Sequence, residues 1–372
     1  MVRILYITPQ LETGGTESHI FKLTSNLDRY EFSPFILCSG LKNPKANFAQ
    51  KIQGDNIPLI WVRLGLKQFY NVFKAIRYIN ENKIDIIHSY SYIDVKWDVI
   101  LYLLSRSKVL ITERRNLQHW RIKKSNTLWE KLRNKITRSI VANSTEVIKV
   151  VSSIEQIPVS RINLIHNGVF FANSGSKEGE ALLKEKIKYQ TGDFIISNVA
   201  NLKKVKRQED IIRALLILKD RGVKNIKLLL AGVNNQAYQS HLENLAAESH
   251  VTDQVFFLGE VLTPESIYSF SNIMVLSSEA EGFSNSVIEA LFFGVPVIAS
   301  NVGGNLDVIK NGVNGFLYES TNTVELAESI AYYYNLSNEE KENLSRNATE
   351  TSKLFSIEKM VLKYTELYRG LI

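Results

Sequence analysis

Short apolar runs alternate with amphipathic stretches along most of the chain. Arg3–Thr8, Phe35–Cys38, Ile84–His88, Val109–Thr112, Ser139–Asn143 and Ile162–Ile165 read as strands. After the first of them, Ile20, Leu23 and Leu27 recur at helical spacing. Strands separated by helical patterns predict a parallel sheet covered by helices on both faces. The alternation breaks over residues 168–190, where Asn-Ser-Gly-Ser-Lys-Glu-Gly-Glu occupies 173–180. It then restarts with Phe194–Ala200, Lys227–Ala231, Val255–Leu258, Ile273–Leu276 and Val295–Ala299, and with helices such as Glu209–Lys219 and Asn285–Phe293. The expected class is α/β, with two doubly wound, Rossmann-like domains whose strand ends face a central cleft.

Composition narrows this picture. A chain of 372 residues that is 45% hydrophobic suits two domains of roughly 150–200 residues each. Its single cysteine, Cys38, excludes a disulfide framework and a cysteine-based zinc cluster. No apolar run approaches the ~20 residues of a membrane span, and the opening residues lack a signal peptide's apolar region. The expected location is cytoplasmic.

Charge changes the picture in one region. Net charge is +7, yet residues 101–150 alone hold 12 Lys/Arg against 3 Asp/Glu. Within that stretch Trp129, Leu132 and Ile136 recur at helical spacing, which predicts a helix with one apolar and one basic face. Two readings stand beside each other. One is a solvated basic face. The other is docking of residues 106–138 on an anionic membrane surface, where each Lys/Arg contributes about 1 kcal/mol. Nucleic acid is not an expected partner, because no recognition motif accompanies the basic cluster.

Several chemistries lack their motifs. There is no G-x-x-x-x-G-K-[ST], no G-x-G-x-x-G after the first strand, no G-x-S-x-G and no H-E-x-x-H. No D-x-D pair is present to hold a divalent ion against a diphosphate, so no metal and no cofactor are expected. The strongest constellation runs from Glu279 to Gly304. Glu281 stands between a strand and a helix, Gly282 permits close backbone approach, and Ser284 or Asn285 is placed to cap the helix. That helix start suits a diphosphate, and carboxylates beside it can accept hydrogen bonds from sugar hydroxyls. Glu289, two turns on, taken alone reads as a solvent-facing helix residue.

Taken together, Glu281, Glu289 and the following Gly-Val-Pro-Val-Ile-Ala resemble the two-glutamate signature of the retaining family 4 glycosyltransferases of the GT-B fold. Gly14-Gly15-Thr16-Glu17 resembles the family's first-domain glycine loop, and Ile165-His166-Asn167-Gly168-Val169 its approach to the interdomain linker. Val199-Ala200-Asn201-Leu202 with Lys206 resembles the first strand and loop of its donor domain. Gly303-Gly304 and Asn314-Gly315-Phe316-Leu317 resemble segments after the glutamates.

The resemblance implies a division into residues 1–168, binding the acceptor, and 169–354, binding the nucleotide sugar, with a helix at 355–372 packing back on the first domain. It implies that Glu289 accepts from ribose hydroxyls and that Glu281 contacts the transferred sugar. Backbone N–H groups of Gly282, Phe283, Ser284 and Asn285 would face the diphosphate. Lys206 would stabilise the leaving group, and Gly15 would let the first-domain backbone approach the donor.

The sequence departs from the family at Asn201, where an arginine is usual; Lys203 or Arg207 could supply the missing cation. It also lacks the usual first-domain histidine, so Arg114, Arg115 and His119 become the acceptor-side candidates. The expected reaction is retaining transfer of a hexose or N-acetylhexosamine from a nucleotide-diphosphate sugar. A uridine diphosphate donor is favoured over guanosine diphosphate mannose. The expected acceptor is a lipid-linked saccharide or oligosaccharide, in assembly of O-antigen, capsule or exopolysaccharide at the inner face of the plasma membrane. A non-catalytic glycosyltransferase-like binding subunit and a GT-B nucleotide-sugar epimerase are the alternatives.

Overall fold

A computed structural model describes residues 1–12, 14–65, 69–91, 95–115, 127–170, 177–261 and 264–372. The chain forms two compact units, one of Met1–Gly168 with Ile357–Ile372, the other of Val169–Ser356.

The first unit holds a seven-stranded parallel sheet. Its strands are β1 (Val2–Thr8), β2 (Phe32–Cys38), β3 (Leu59–Trp61), β4 (Ile86–Ser89), β5 (Val109–Arg114), β6 (Ser139–Ala142) and β7 (Ile162–Leu164), in the order β3-β2-β1-β4-β5-β6-β7. Successive side chains of a strand point to opposite faces. Ile4 and Tyr6 therefore enter one core cluster with Ile20, Ile36 and Ile111, while Leu5 and Ile7 enter another with Leu37, Ile87 and Leu110. Both faces are dry, which is why these strands read as continuous apolar runs.

The helix Ile357–Arg369 belongs to this first core. Ile357, Met360, Tyr364 and Tyr368 fall on one helical face and are all buried. Their polar ends meet a chain of partners. The Tyr368 hydroxyl pairs with the Tyr6 hydroxyl at 3.0 Å and with His88 Nδ1 at 2.9 Å. His88 Nε2 lies 3.0 Å from Glu113 Oε1, which also accepts from the Tyr364 hydroxyl at 2.7 Å.

The second unit holds a six-stranded sheet, also parallel throughout. It is built from β8 (Phe194–Val199), β9 (Ile226–Ala231), β10 (Val255–Gly259), β11 (Ile273–Leu276), β12 (Val297–Ser300) and β13 (Gly315–Tyr318), ordered β10-β9-β8-β11-β12-β13. In each unit the strand order reverses direction once, between β1 and β4 and between β8 and β11. Such a switch point leaves a crevice beyond the carboxyl ends of the two strands, the usual ligand position in open α/β sheets.

The basic region differs from its expected form. Residues 116–126, including His119, lie outside the described residues. The following helix, Leu128–Ile136, starts with a capping box between Thr127 and Glu130. Its expected faces form only in part: Ile136 packs on the core, Leu132 is half-buried, and Lys131 and Lys135 are exposed. Leu128 and Trp129 are exposed, while Glu130, Arg133 and Asn134 turn inward. The reason is a pair of buried carboxylates beneath it. Glu155 takes Arg114 Nε at 2.9 Å and Arg114 Nη2 at 3.0 Å, and Asn134 Nδ2 at 2.7 Å. Asp98 lies 3.5 Å from Arg133, whose guanidinium burial pushes down to about 10. Buried charges must be paired, and this need overrides the helical pattern. Arg114, an acceptor-side candidate from the sequence, is buried here and paired with Glu155. Among the described residues of 101–150, Arg106, Lys108, Lys131, Lys135, Arg138 and Lys149 are exposed.

Arg114→Met leaves Glu155 charged and partly unpaired in the interior, and is expected to cost about 3–5 kcal/mol in urea unfolding. Arg114→Met with Glu155→Leu is expected to recover most of that loss. If the double variant is no more stable than the single one, the pair is not what holds this corner.

Candidate active site

The site grows from the two loops that flank the second switch point. Beyond β8, the Asn201 side chain accepts from Val233 N at 3.1 Å, tying the loop to the chain that follows β9. The buried Gln208 amide reaches back to Asn201 O at 3.2 Å. Between them a short turn, Lys204–Lys206, leads into Arg207, whose φ is +48°. Arg207 donates to Asp210 at 2.6 and 2.9 Å, so it is committed within its own loop. Lys203 is exposed and makes no ion pair among the described residues. Of the two candidates for the cation missing at Asn201, Lys203 is the one not already paired.

Beyond β11, two bonds strap the Lys206 turn in place. The Ser277 hydroxyl lies 2.8 Å from both Lys206 O and Arg207 O, and Glu279 N donates to Val205 O at 2.8 Å. Lys206 Nζ consequently meets Glu281 Oε1 at 2.5 Å. Their side chains are 22% and 9% exposed, so the pair sits at the border of protein and solvent. The Ser278 hydroxyl donates to the same carboxylate oxygen at 2.6 Å.

The loop then turns into the helix Asn285–Phe292. Ser284 is its N-cap, but the Ser284 side chain does not cap it; the hydroxyl pairs instead with Ser286 Oγ at 3.0 Å. Phe283 is buried and packs on Phe355, ring centroids 5.7 Å apart. Gly303 and Gly304 press against this loop from the far side. Gly303 has φ +56°, and a Cβ there would lie 1.8 Å from Glu281 O. Gly304 N donates to Gly282 O at 3.0 Å.

Glu289 does not simply face solvent. It is half-buried and accepts from the Tyr268 hydroxyl at 3.0 Å. Burial, with the Glu289 charge adding to it, raises the Tyr268 phenol well above its ordinary range. Tyr268 thus stays a donor.

The structure therefore gathers Asn201, Lys206, Glu281, Gly282, Phe283 and Ser284 on loops, with Asn285 and Glu289 on the helix that follows them, in the second unit. Gly15 and Arg115 belong to the other unit. Gly15 opens the helix Gly15–Asn26, and a Cβ there would meet nothing within 4 Å. Arg115 is enclosed: it donates to Glu113 Oε2 at 3.2 Å and to Asn167, and lies 5.8 Å over the Tyr90 ring. Sequence reasoning did not single out Ser277, Ser278 or Tyr268. The two serines had a signal, since they occupy the turn between β11 and Glu281; Tyr268 had none. Among the described residues no group of three His, Cys, Asp or Glu side chains is placed to hold a metal.

Gly303→Ala is expected to destabilise the protein by more than about 1 kcal/mol, because neither its φ nor its contact with Glu281 O tolerates a Cβ. Gly15→Ala, in open space at a helix start, is expected to leave stability unchanged or slightly raised. Paired urea titrations test both; equal effects at the two positions would overturn the close approach at Gly303.

Residues 13–170 match the family model described as Glycosyltransferase Family 4, and residues 180–351 match that described as Glycosyl transferases group 1. The chain is 28% identical over 238 residues to the N-acetyl-alpha-D-glucosaminyl L-malate synthase of Bacillus anthracis, covering 63% of this chain and 58% of that protein. For several curated relatives, this one included, the chain spans about half of the relative's length. It is 24% identical over 337 residues to the capsular polysaccharide biosynthesis glycosyltransferase CapH of Staphylococcus aureus, covering 88% and 87%. Its fold matches that of Anabaena Alr3699/HepE, solved in complex with UDP-glucose, with a TM-score of 0.83 at 19% identity and full coverage of both chains.

Proposed function

The chain belongs to the family 4 glycosyltransferases of the GT-B fold, and from that premise we propose that it is a retaining, metal-independent glycosyltransferase. Its donor in this reading is a uridine diphosphate hexose or N-acetylhexosamine, and its acceptor a lipid-linked saccharide of a bacterial surface polysaccharide. The observation that carries the reading is the Lys206–Glu281 pair at the β8/β11 switch point. It joins a cation suited to a diphosphate with a carboxylate suited to sugar hydroxyls. The relatives in capsule assembly support the pathway class, and the UDP-glucose complex of a fold neighbour supports the donor class.

In this mechanism the donor phosphates draw the Lys206 ammonium, which stabilises the charge that grows on the leaving group. The bond between the anomeric carbon and the phosphate oxygen breaks. The acceptor oxygen bonds to the same face of that carbon, and its proton passes to the departing diphosphate. Glu281 orients the sugar, Glu289 holds the ribose, and backbone N–H groups of residues 282–285 meet the diphosphate.

The test is release of nucleoside diphosphate from a panel of uridine, guanosine and adenosine diphosphate sugars, with and without a bacterial lipid extract and a chelator. One uridine diphosphate sugar is expected to turn over, stimulated by lipid and indifferent to the chelator. Glu281→Ala is expected to lower turnover at least about a hundredfold while still binding UDP. Normal turnover by that variant would sink the assignment. UDP binding with no turnover on any donor and lipid favours the non-catalytic alternative.

Membrane contact is the second part of the reading. Lys131, Lys135 and Arg138 are exposed beside the protruding Leu128 and Trp129, and no described helix is long and apolar enough to span a bilayer. Anionic vesicles are expected to pull the protein down and neutral ones not. Lys131→Glu with Lys135→Glu is expected to weaken that binding severalfold. Equal recovery on both vesicle types would remove the electrostatic surface.

A further inference from the structure

The Glu281 carboxylate is held asymmetrically. Its Oε1 receives two donors, Lys206 Nζ at 2.5 Å and Ser278 Oγ at 2.6 Å. Its Oε2 receives no hydrogen bond among the described residues. The residue as a whole is 8% exposed. Ser278 is fully buried, and its own backbone is pinned by Ser300 Oγ, at the end of β12, which donates to Ser278 O at 2.6 Å, and by Ser320 Oγ, beyond β13, at 3.4 Å. The adjacent serines thus divide the work. Ser277 fixes the turn that carries Lys206, and Ser278 fixes the carboxylate that Lys206 faces.

That division matters once a diphosphate arrives. An ammonium drawn to phosphate oxygens leaves Glu281 Oε1 with one protein donor. A carboxylate on a two-torsion stem, released from its cation, would swing toward water. We propose that Ser278 is a positioning residue that keeps the Glu281 carboxylate in place after Lys206 has moved to the donor phosphates, with Oε2 turned to the transferred sugar. The proposal rests on the reading of Glu281 given above. Ser278 itself touches no substrate; it acts through Glu281. A hydroxyl is suited to this, because it orients the carboxylate without adding a charge that competes with Lys206 for the phosphates.

The test compares Ser278→Ala, Glu281→Gln and the double variant, using the donor selected by the panel and UDP as the binding probe. Ser278→Ala is expected to lower kcat roughly tenfold to a hundredfold and to leave UDP affinity within about twofold. In the Glu281→Gln background the same change is expected to alter kcat less than about twofold, since the group it positions is already lost. Equal losses in both backgrounds overturn the proposal, because a merely structural serine would behave that way. Wild-type kcat for Ser278→Ala beside an impaired Glu281→Gln overturns it alone. Wild-type kcat for Glu281→Gln overturns the underlying reading and this one with it. Should Ser278→Ala fold poorly, Ser278→Cys, of similar volume and with only a weak donor, carries the same comparisons.

Discussion

Lys206 and Glu281 stand 75 positions apart in sequence and 2.5 Å apart in space. The rest of the site is organised around keeping them there. Their contact depends first on strand order, since β8 and β11 are neighbours only because the sheet reverses direction between them. It depends next on the Ser277 hydroxyl and Glu279 N, which tie the lysine's turn to the strand that delivers the glutamate. In a partly desolvated setting a charge left without its partner is costly. A ligand that takes Lys206 must therefore bring negative charge of its own. A diphosphate does so, and a neutral sugar does not. The pair thereby favours anionic ligands before any base or sugar is recognised.

Around that pair the backbone is packed as closely as the side chains. Gly303 allows its chain to lie against Glu281 O, and Gly304 N holds Gly282 O. Phe283 then anchors the loop in the core through Phe355, and the helix from Asn285 begins without a side-chain cap. Loop, glycines and helix start form one closely packed element on which Glu281 and Glu289 are both mounted. Preorganisation of this kind is what lets a site act on a reacting centre without spending binding free energy on ordering itself.

How much of this was legible in the sequence follows from range. Strands buried on both faces carry nearly unbroken apolar runs, so most of both sheets was visible. Two strands were not. Leu59–Trp61 has only three residues, and Gly315–Tyr318 opens on a glycine, which strand patterns avoid. That glycine is required because a Cβ there would lie 2.1 Å from Val297 O. The two glutamates were visible as a local spacing, whereas their bonds to Ser278 and Tyr268 needed coordinates. The burial of Arg114 was not legible, because the sequence shows its charge and not its partner. Its partner Glu155 lies 41 residues further on, and no local pattern shows that a cation is spoken for.

The first unit adds a constraint that acts on the whole chain. Its core is closed by the helix Ile357–Arg369, and the polar centre of that core is shared between distant segments. Tyr6 comes from the first strand, His88 and Glu113 from the middle of the sheet, and Tyr364 and Tyr368 from the final helix. Without Tyr364 and Tyr368, Glu113 and His88 would keep only part of their hydrogen bonds in a dry interior, and an apolar groove among Ile20, Leu23 and Phe32 would be uncovered. Burial would favour raising the Glu113 carboxyl, but His88, Arg115 and Tyr364 outweigh it and hold that group below its ordinary range. The final helix thus adds one hydrogen bond, from Tyr364, to a carboxylate held mainly by His88 and Arg115. The second unit is continuous in sequence and closes on itself. The first is built from two separate stretches, Met1–Gly168 and Ile357–Ile372, so its core is shared between segments that the whole second unit separates in sequence.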